Sequence, residues 1–139
     1  MSKDTRGGLK ILIVEDHHDA RTTMRMLLSL GYGHVVYEAA DGASGVRCAL
    51  DLRPDVALID LGLPDLDGNE VARRIRAVLG KSEILLIALT GYGSAEDRRL
   101  THEAGFDIHL LKPVESEALQ RIFENLLRSR ENAGGSPNA

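Results

Sequence analysis

Short apolar runs, each closed by a polar residue, set the pattern of this chain. Residues 10–14 (Lys-Ile-Leu-Ile-Val) stop at Glu15-Asp16, residues 55–59 at Asp60, residues 84–89 at Thr90, and residues 108–111 at Lys112-Pro113. Runs this continuous suit strands buried on both faces of a parallel sheet, not half-exposed ones. A further short strand is expected at residues 34–37. Between the strands the spacing turns helical. Ala20, Met24, Leu27 and Leu28 form one stripe, which Gly31 stops. Asp41 is placed to cap a helix presenting Ala43, Val46, Ala49 and Leu50, broken at Arg53-Pro54. Asp67 caps the next helix, with Val71, Ile75, Val78 and Leu79 inward, Arg73, Arg74 and Arg76 outward, and Gly80 at its end. Ser94 and Asp97 form a capping box for a weakly amphipathic helix that offers only Ala95, Leu100 and Ala104 to a core. The last helix carries Leu119, Ile122, Phe123, Leu126 and Leu127 on one stripe. Five strands alternating with five helices predict an α/β fold: a parallel sheet with right-handed crossovers and helices on both faces.

Composition narrows the class without changing that picture. A chain of 139 residues, 43% hydrophobic and 27% charged, has the make-up of one soluble globular domain. A net charge of −4 argues against nucleic-acid binding by bulk electrostatics. One cysteine, Cys48, excludes an internal disulfide and fits a reducing compartment. No apolar run approaches the roughly 18 residues of a membrane span, and the N-terminus has no signal-peptide core. A cytoplasmic protein is expected, with a flexible leader at residues 1–8 and a disordered tail at residues 131–139.

The polar residues that end the strands carry the candidate chemistry. In open parallel sheets, ligand sites form at the carboxyl ends of the strands. Glu15, Asp16 and Asp60 would crowd negative charge at one point, which a divalent cation resolves, and oxygen-only donors favour a hard ion such as Mg²⁺. The Thr90 hydroxyl and Lys112 ammonium at the same edge could hold phosphoryl oxygens. One carboxylate could then act as a nucleophile and form an acyl phosphate. The adjacent pair His17-His18 invites a metal reading too, but loop histidines are more often solvated.

The acidic pair Glu15-Asp16, the stretch Ile59-Asp60-Leu61-Gly62-Leu63-Pro64-Asp65-Leu66-Asp67-Gly68, Thr90-Gly91 and Lys112-Pro113 occur in this order, each at its own strand end. In this the chain resembles a receiver domain of two-component response regulators, over residues 9–128. The resemblance implies a flavodoxin-like strand order 2-1-3-4-5, with the site at the switch point. It implies Asp60 as phospho-acceptor and Asp16 as a direct Mg²⁺ ligand, with Glu15 acting through water. The carbonyl of Gly62 would complete the metal's protein ligands, Thr90 would bind the phosphoryl group and move on activation, and Lys112 would pair with it. Two positions depart from the family's usual pattern. Glu15 stands where aspartate is commoner, and His109 stands where a tyrosine or phenylalanine is usual. Histidine carries polar nitrogens that are costly to bury unpaired. Its ring is therefore expected to stay partly solvent-facing, contributing through a partner-binding surface.

The resulting expectation is a signalling switch, comprising residues 9–130. It takes its phosphoryl group from a histidine kinase or histidine phosphotransfer protein, catalyses only its own phosphorylation and dephosphorylation, and relays the signal to a downstream protein. No direct contact with nucleic acid or membrane is expected. Either a stand-alone receiver or one excised from a larger protein such as a hybrid kinase is expected. A haloacid-dehalogenase-type phosphatase shares the aspartyl phosphate and Mg²⁺. Those enzymes want a second aspartate where this chain has Gly62, and a cap domain besides.

Overall fold

A computed structural model describes residues 8–135. The strands are β1 (Lys10–Val14), β2 (Val35–Ala39), β3 (Val56–Asp60), β4 (Leu85–Thr90) and β5 (Ile108–Leu111). The helices are α1 (His18–Met26, continued by a π turn at Leu27–Gly31), α2 (Gly42–Leu52), α3 (Gly68–Arg76), α4 (Ala95–Ala104) and α5 (Ser116–Gly135). All neighbouring strands pair in parallel, in the order β2-β1-β3-β4-β5. Every residue of β3 is buried, as its uninterrupted apolar run requires at the centre of a sheet. The edge strands β2 and β5 are only partly covered.

Successive strand residues point to opposite faces and feed two cores. Leu12, Val14, Ala57 and Ile59 pack with Ala49, Val71, Ile75 and Phe106 beneath α2, α3 and α4. Ile11, Ile13, Leu58 and Ile87 pack with Leu28, Leu119 and Phe123 beneath α1 and α5. Register then aligns the strand ends, pairing Val14 with Ile59, Asp60 with Leu89 and Thr90 with Leu111. The polar residues just beyond those positions are thereby brought to one edge.

Several local expectations need correction. Of the α1 stripe, Leu28 is buried and Met24 packs against the core, whereas Ala20 and Leu27 are exposed. The buried face of α2 is made by Gly42, Gly45 and Ala49, while Ala43 is exposed. A Cβ at position 45 would lie 2.9 Å from the Val14 methyls, so helix and sheet approach too closely for any side chain there. In α3 and the turn after it, Val71, Ile75 and Leu79 are buried and Val78 is exposed. Arg76 is not outward: its side chain retains 11% exposure and is bonded to Asp107. In α4 the buried residues are Thr101 and Ala104, while Ala95 and Leu100 are exposed. The capping box of Ser94 and Asp97 is present as expected. The tail expected from residue 131 is helical as far as Gly135, because no proline interrupts α5 before Pro137. The expected leader, apart from Gly8, and residues 136–139 lie outside the described residues.

Candidate functional site

Asp60 is the last residue of β3, and its side chain retains 7% exposure. A carboxylate there needs partners. Lys112, immediately after β5, places Nζ 3.1 Å from Asp60 Oδ1 and 3.5 Å from Glu15 Oε1. The Gly62 N–H donates to Asp60 Oδ1 at 3.2 Å. Partial burial disfavours the charge on Lys112, but Asp60 and then Glu15 outweigh it and hold the ammonium's pKa above its ordinary value.

Glu15 and Asp16 follow β1 directly, and the Glu15 N–H is tied to the Ala39 carbonyl at the adjacent strand end. Arg21 from α1 donates to the Glu15 carbonyl at 2.8 Å, so the acidic turn is held from both sides. Donor atoms of Glu15, Asp16, His17 and Asp60 all lie within 4.8 Å of one another. Asp16 Oδ1 is shielded from solvent and accepts no hydrogen bond among the described residues. A shielded carboxylate oxygen that accepts no hydrogen bond, in a set rich in carboxylates, fits a cation. The oxygens of Glu15, Asp16 and Asp60 would hold a hard divalent ion.

Thr90 ends β4 beside Asp60's strand and is buried. Its Oγ1 accepts from the Tyr92 N–H at 3.1 Å. A cleft of about 200 Å³ opens next to it, lined by Gly62, Asn69, Thr90, Tyr92 and Leu100 among others. The structure thus gathers Glu15, Asp16, Asp60, Gly62 and Lys112 at one point, with Thr90 alongside.

His109 lies elsewhere, in the middle of β5, and is part-buried as expected. The Tyr92 carbonyl, 2.9 Å from Nε2, can only accept, so Nε2 carries the proton. Nδ1 lies 3.0 Å from the Thr101 hydroxyl, whose single proton it shares with the Arg98 carbonyl, also at 3.0 Å. The ring therefore ties the loop after Thr90 to α4, a helix that buries little of its own surface. Replacing His109 with phenylalanine removes both bonds, worth about 0.5–1.5 kcal/mol each. Amide exchange over residues 91–104 is then expected to quicken by roughly tenfold. Unchanged protection there would dismiss the tether.

Two contributors go beyond the sequence reading. His17 is solvent-exposed, as loop histidines usually are, but its ring is not without partners. Its Nδ1 is 3.1 Å from Glu15 Oε2 and 3.5 Å from Asp16 Oδ1, and its pKa is raised by the hydrogen bond to Glu15 and then by the charge of Asp16. Adjacency to the acidic pair was the available signal. Asp65 accepts from the N–H groups of Gly42 and Ala43 at 2.7 and 3.0 Å, stapling the loop after Asp60 to the start of α2. Those bonds, to Ala43 and then Gly42, hold its carboxyl below the usual range. Nothing in linear spacing signals a contact between the start of α2 and a loop beyond β3.

The family model of the response regulator receiver domain matches residues 11–124. The transcriptional regulatory protein AfsQ1 of Streptomyces coelicolor is 34% identical over 121 residues, covering 87% of this chain and 52% of that protein. A CheY-like receiver domain protein from Methanospirillum hungatei has a TM-score of 0.81 at 27% identity, covering 90% of this chain and 98% of that one. The receiver domain of sensor histidine kinase PA1611 from Pseudomonas aeruginosa, solved with a magnesium ion coordinated in its active-site cleft, is 39% identical. Its TM-score is 0.74, with 86% of this chain and 98% of that one covered. The chain spans about half the length of the first curated relatives it matches.

Proposed function

The chain belongs to the family of response regulator receiver domains, the phosphorylation-activated switches of two-component signalling, and from that premise we propose how its own residues serve the switch. Asp60 is the phosphoryl acceptor. Glu15, Asp16, Asp60 and the Gly62 carbonyl hold Mg²⁺, while Thr90 and Lys112 bind phosphoryl oxygens. The observation that carries this reading is the Asp60 carboxylate, buried at the strand end with Lys112 Nζ 3.1 Å away and a shielded Asp16 oxygen that accepts no hydrogen bond among the neighbouring donors.

The donor is a phosphohistidine on a histidine kinase or histidine phosphotransfer protein. An Asp60 oxygen attacks phosphorus in line. The new O–P bond forms as the P–N bond breaks, and its electron pair leaves with the imidazole. Lys112, fixed between Asp60 and Glu15, offsets charge on the equatorial oxygens. When bound, Mg²⁺ supplies further positive charge against those oxygens. Water later attacks phosphorus, returning the carboxylate and inorganic phosphate. The protein thus catalyses its own phosphorylation and dephosphorylation only.

Phosphorylation shifts a two-state equilibrium in the Thr90 loop, α4 and β5. The two buried residues of α4, Thr101 and Ala104, anchor that helix weakly enough for it to move. His109 takes part as the link between loop and helix, on a face that a downstream protein reads. The functional unit is residues 9–130, acting in the cytoplasm. Among the described residues no helix is long and apolar enough to cross a membrane. With a net charge of −4, the unit acts on proteins and not on nucleic acid directly.

Covalent labelling by acetyl phosphate, followed by intact mass, tests the site. Wild type is expected to gain one phosphoryl group with Mg²⁺ and none in excess chelator. Asp16→Asn should lose both metal binding and labelling, whereas Glu15→Asp should keep them, since a shorter acid still presents an oxygen. Undiminished labelling in chelator would overturn the metal assignment.

A further inference from the structure

His17 and His18 stand side by side in sequence, and the chemistry above uses neither. Their surroundings differ. His18 Nδ1 lies 3.3 Å from Arg21 Nη2, a cation that repels a metal ion. His17 faces the acids instead, with Nδ1 3.1 Å from Glu15 Oε2 and 3.5 Å from Asp16 Oδ1. One donor atom from each of His17, Glu15, Asp16 and Asp60 lies within 4.8 Å of the others. Divalent ions with bonds of about 2.1 Å hold adjacent donors roughly 3 Å apart. His17 Nδ1 already stands at that spacing from two of the carboxylates.

The fold does not need this ring. It is 76% exposed and makes no side-chain capping bond to α1. The backbone N–H of His17 orients Glu15 by donating to Oε2 at 3.0 Å, a bond that any residue but proline would provide here. What the side chain adds is a nitrogen beside oxygens.

We propose that His17 is a nitrogen ligand of this centre, and that it raises the affinity for borderline transition ions such as Co²⁺, relative to Mg²⁺, above what the carboxylates alone provide. The inference rests on reading Glu15, Asp16 and Asp60 as metal ligands. Imidazole adds little to a hard ion but strengthens binding of Co²⁺, Ni²⁺ and Zn²⁺. His17 is then a metal-selectivity residue, so that metal availability decides which ion the acceptor site carries.

Tag-free wild type, His17→Ala, His17→Gln, His18→Ala and Asp16→Asn, titrated separately with Mg²⁺ and Co²⁺ at mildly alkaline pH, provide the test. Calorimetry reads affinity, and visible absorption reads the donors around Co²⁺. Both His17 variants should bind Co²⁺ about tenfold or more weakly with a shifted spectrum, while Mg²⁺ affinity stays within about threefold of wild type. His18→Ala should match wild type throughout. If the His17 variants keep the wild-type Co²⁺ affinity and spectrum while Asp16→Asn loses both ions, the histidine role is overturned and the acidic site stands. If Asp16→Asn binds both ions as wild type does, the acidic site falls and the inference with it.

Discussion

Asparagine in place of Asp60 is expected to abolish labelling by acetyl phosphate while leaving the fold intact. The amide keeps the shape of the carboxylate but not its nucleophilicity, so the phosphorylation rate should fall on the order of 10⁴-fold or more. The neighbouring acids cannot easily take over. Glu15 and Asp16 belong to the same cluster, but Asp60 is the one that pairs with Lys112 at 3.1 Å, where the incoming oxygens need a cation. Stability should not suffer either. Three carboxylates and one histidine lie within 4.8 Å of one another, and removing one negative charge relieves their repulsion. Lys112 keeps Glu15 at 3.5 Å as a partner. The melting temperature of Asp60→Asn should equal or exceed that of wild type in metal-free buffer. Labelling of the variant to the wild-type extent would place the acceptor elsewhere.

That site was legible because parallel strands convert sequence order into spatial order. Each central strand is a run of apolar residues ended by one polar group, and in-register pairing puts those ends side by side. Residues as far apart as Glu15 and Lys112 therefore meet without any local signal linking them. Features set by tertiary approach were not legible in the same way. The inner face of α2 is defined by Gly42 and Gly45, where a pattern of side chains shows nothing, because the close approach to Val14 depends on a missing Cβ. His17 and Asp65 read as ordinary loop residues because their partners are fixed by how the turns fold back. The run Arg73-Arg74-x-Arg76 misled for another reason: three arginines on one helix look alike until a neighbouring loop supplies acceptors for just one of them.

That difference predicts the largest stability effect. Arg76 donates through Nε to the Gly105 carbonyl at 2.9 Å, and through Nη1 to the carbonyls of Gly80 and Ile84 at 2.9 and 2.8 Å. Its Nη2 pairs with Asp107 Oδ2 at 2.6 Å, and the same oxygen accepts the Leu86 N–H. One planar fork thus joins the end of α3, the start of β4 and the turn before β5, a geometry that a lysine cannot reproduce. Arg76→Ala leaves Asp107, 18% exposed, without its close cation, since Lys81 Nζ is 3.9 Å from the other oxygen and largely in solvent. Losing one partner of such a pair, together with three carbonyl bonds, should cost about 2–4 kcal/mol. At this chain length that lowers the melting temperature by roughly 7–14 °C. Arg76→Lys should recover less than half of the loss. Arg73→Ala and Arg74→Ala should each stay within about 0.5 kcal/mol of wild type, because their guanidiniums meet Glu70 in solvent. The contacts of Arg76 lie at the end of the sheet opposite Asp60. Acetyl phosphate labelling of Arg76→Ala below its melting temperature should therefore match wild type. Thermal unfolding of the four variants decides the matter, and Arg76→Ala melting together with Arg73→Ala would return Arg76 to the solvated face.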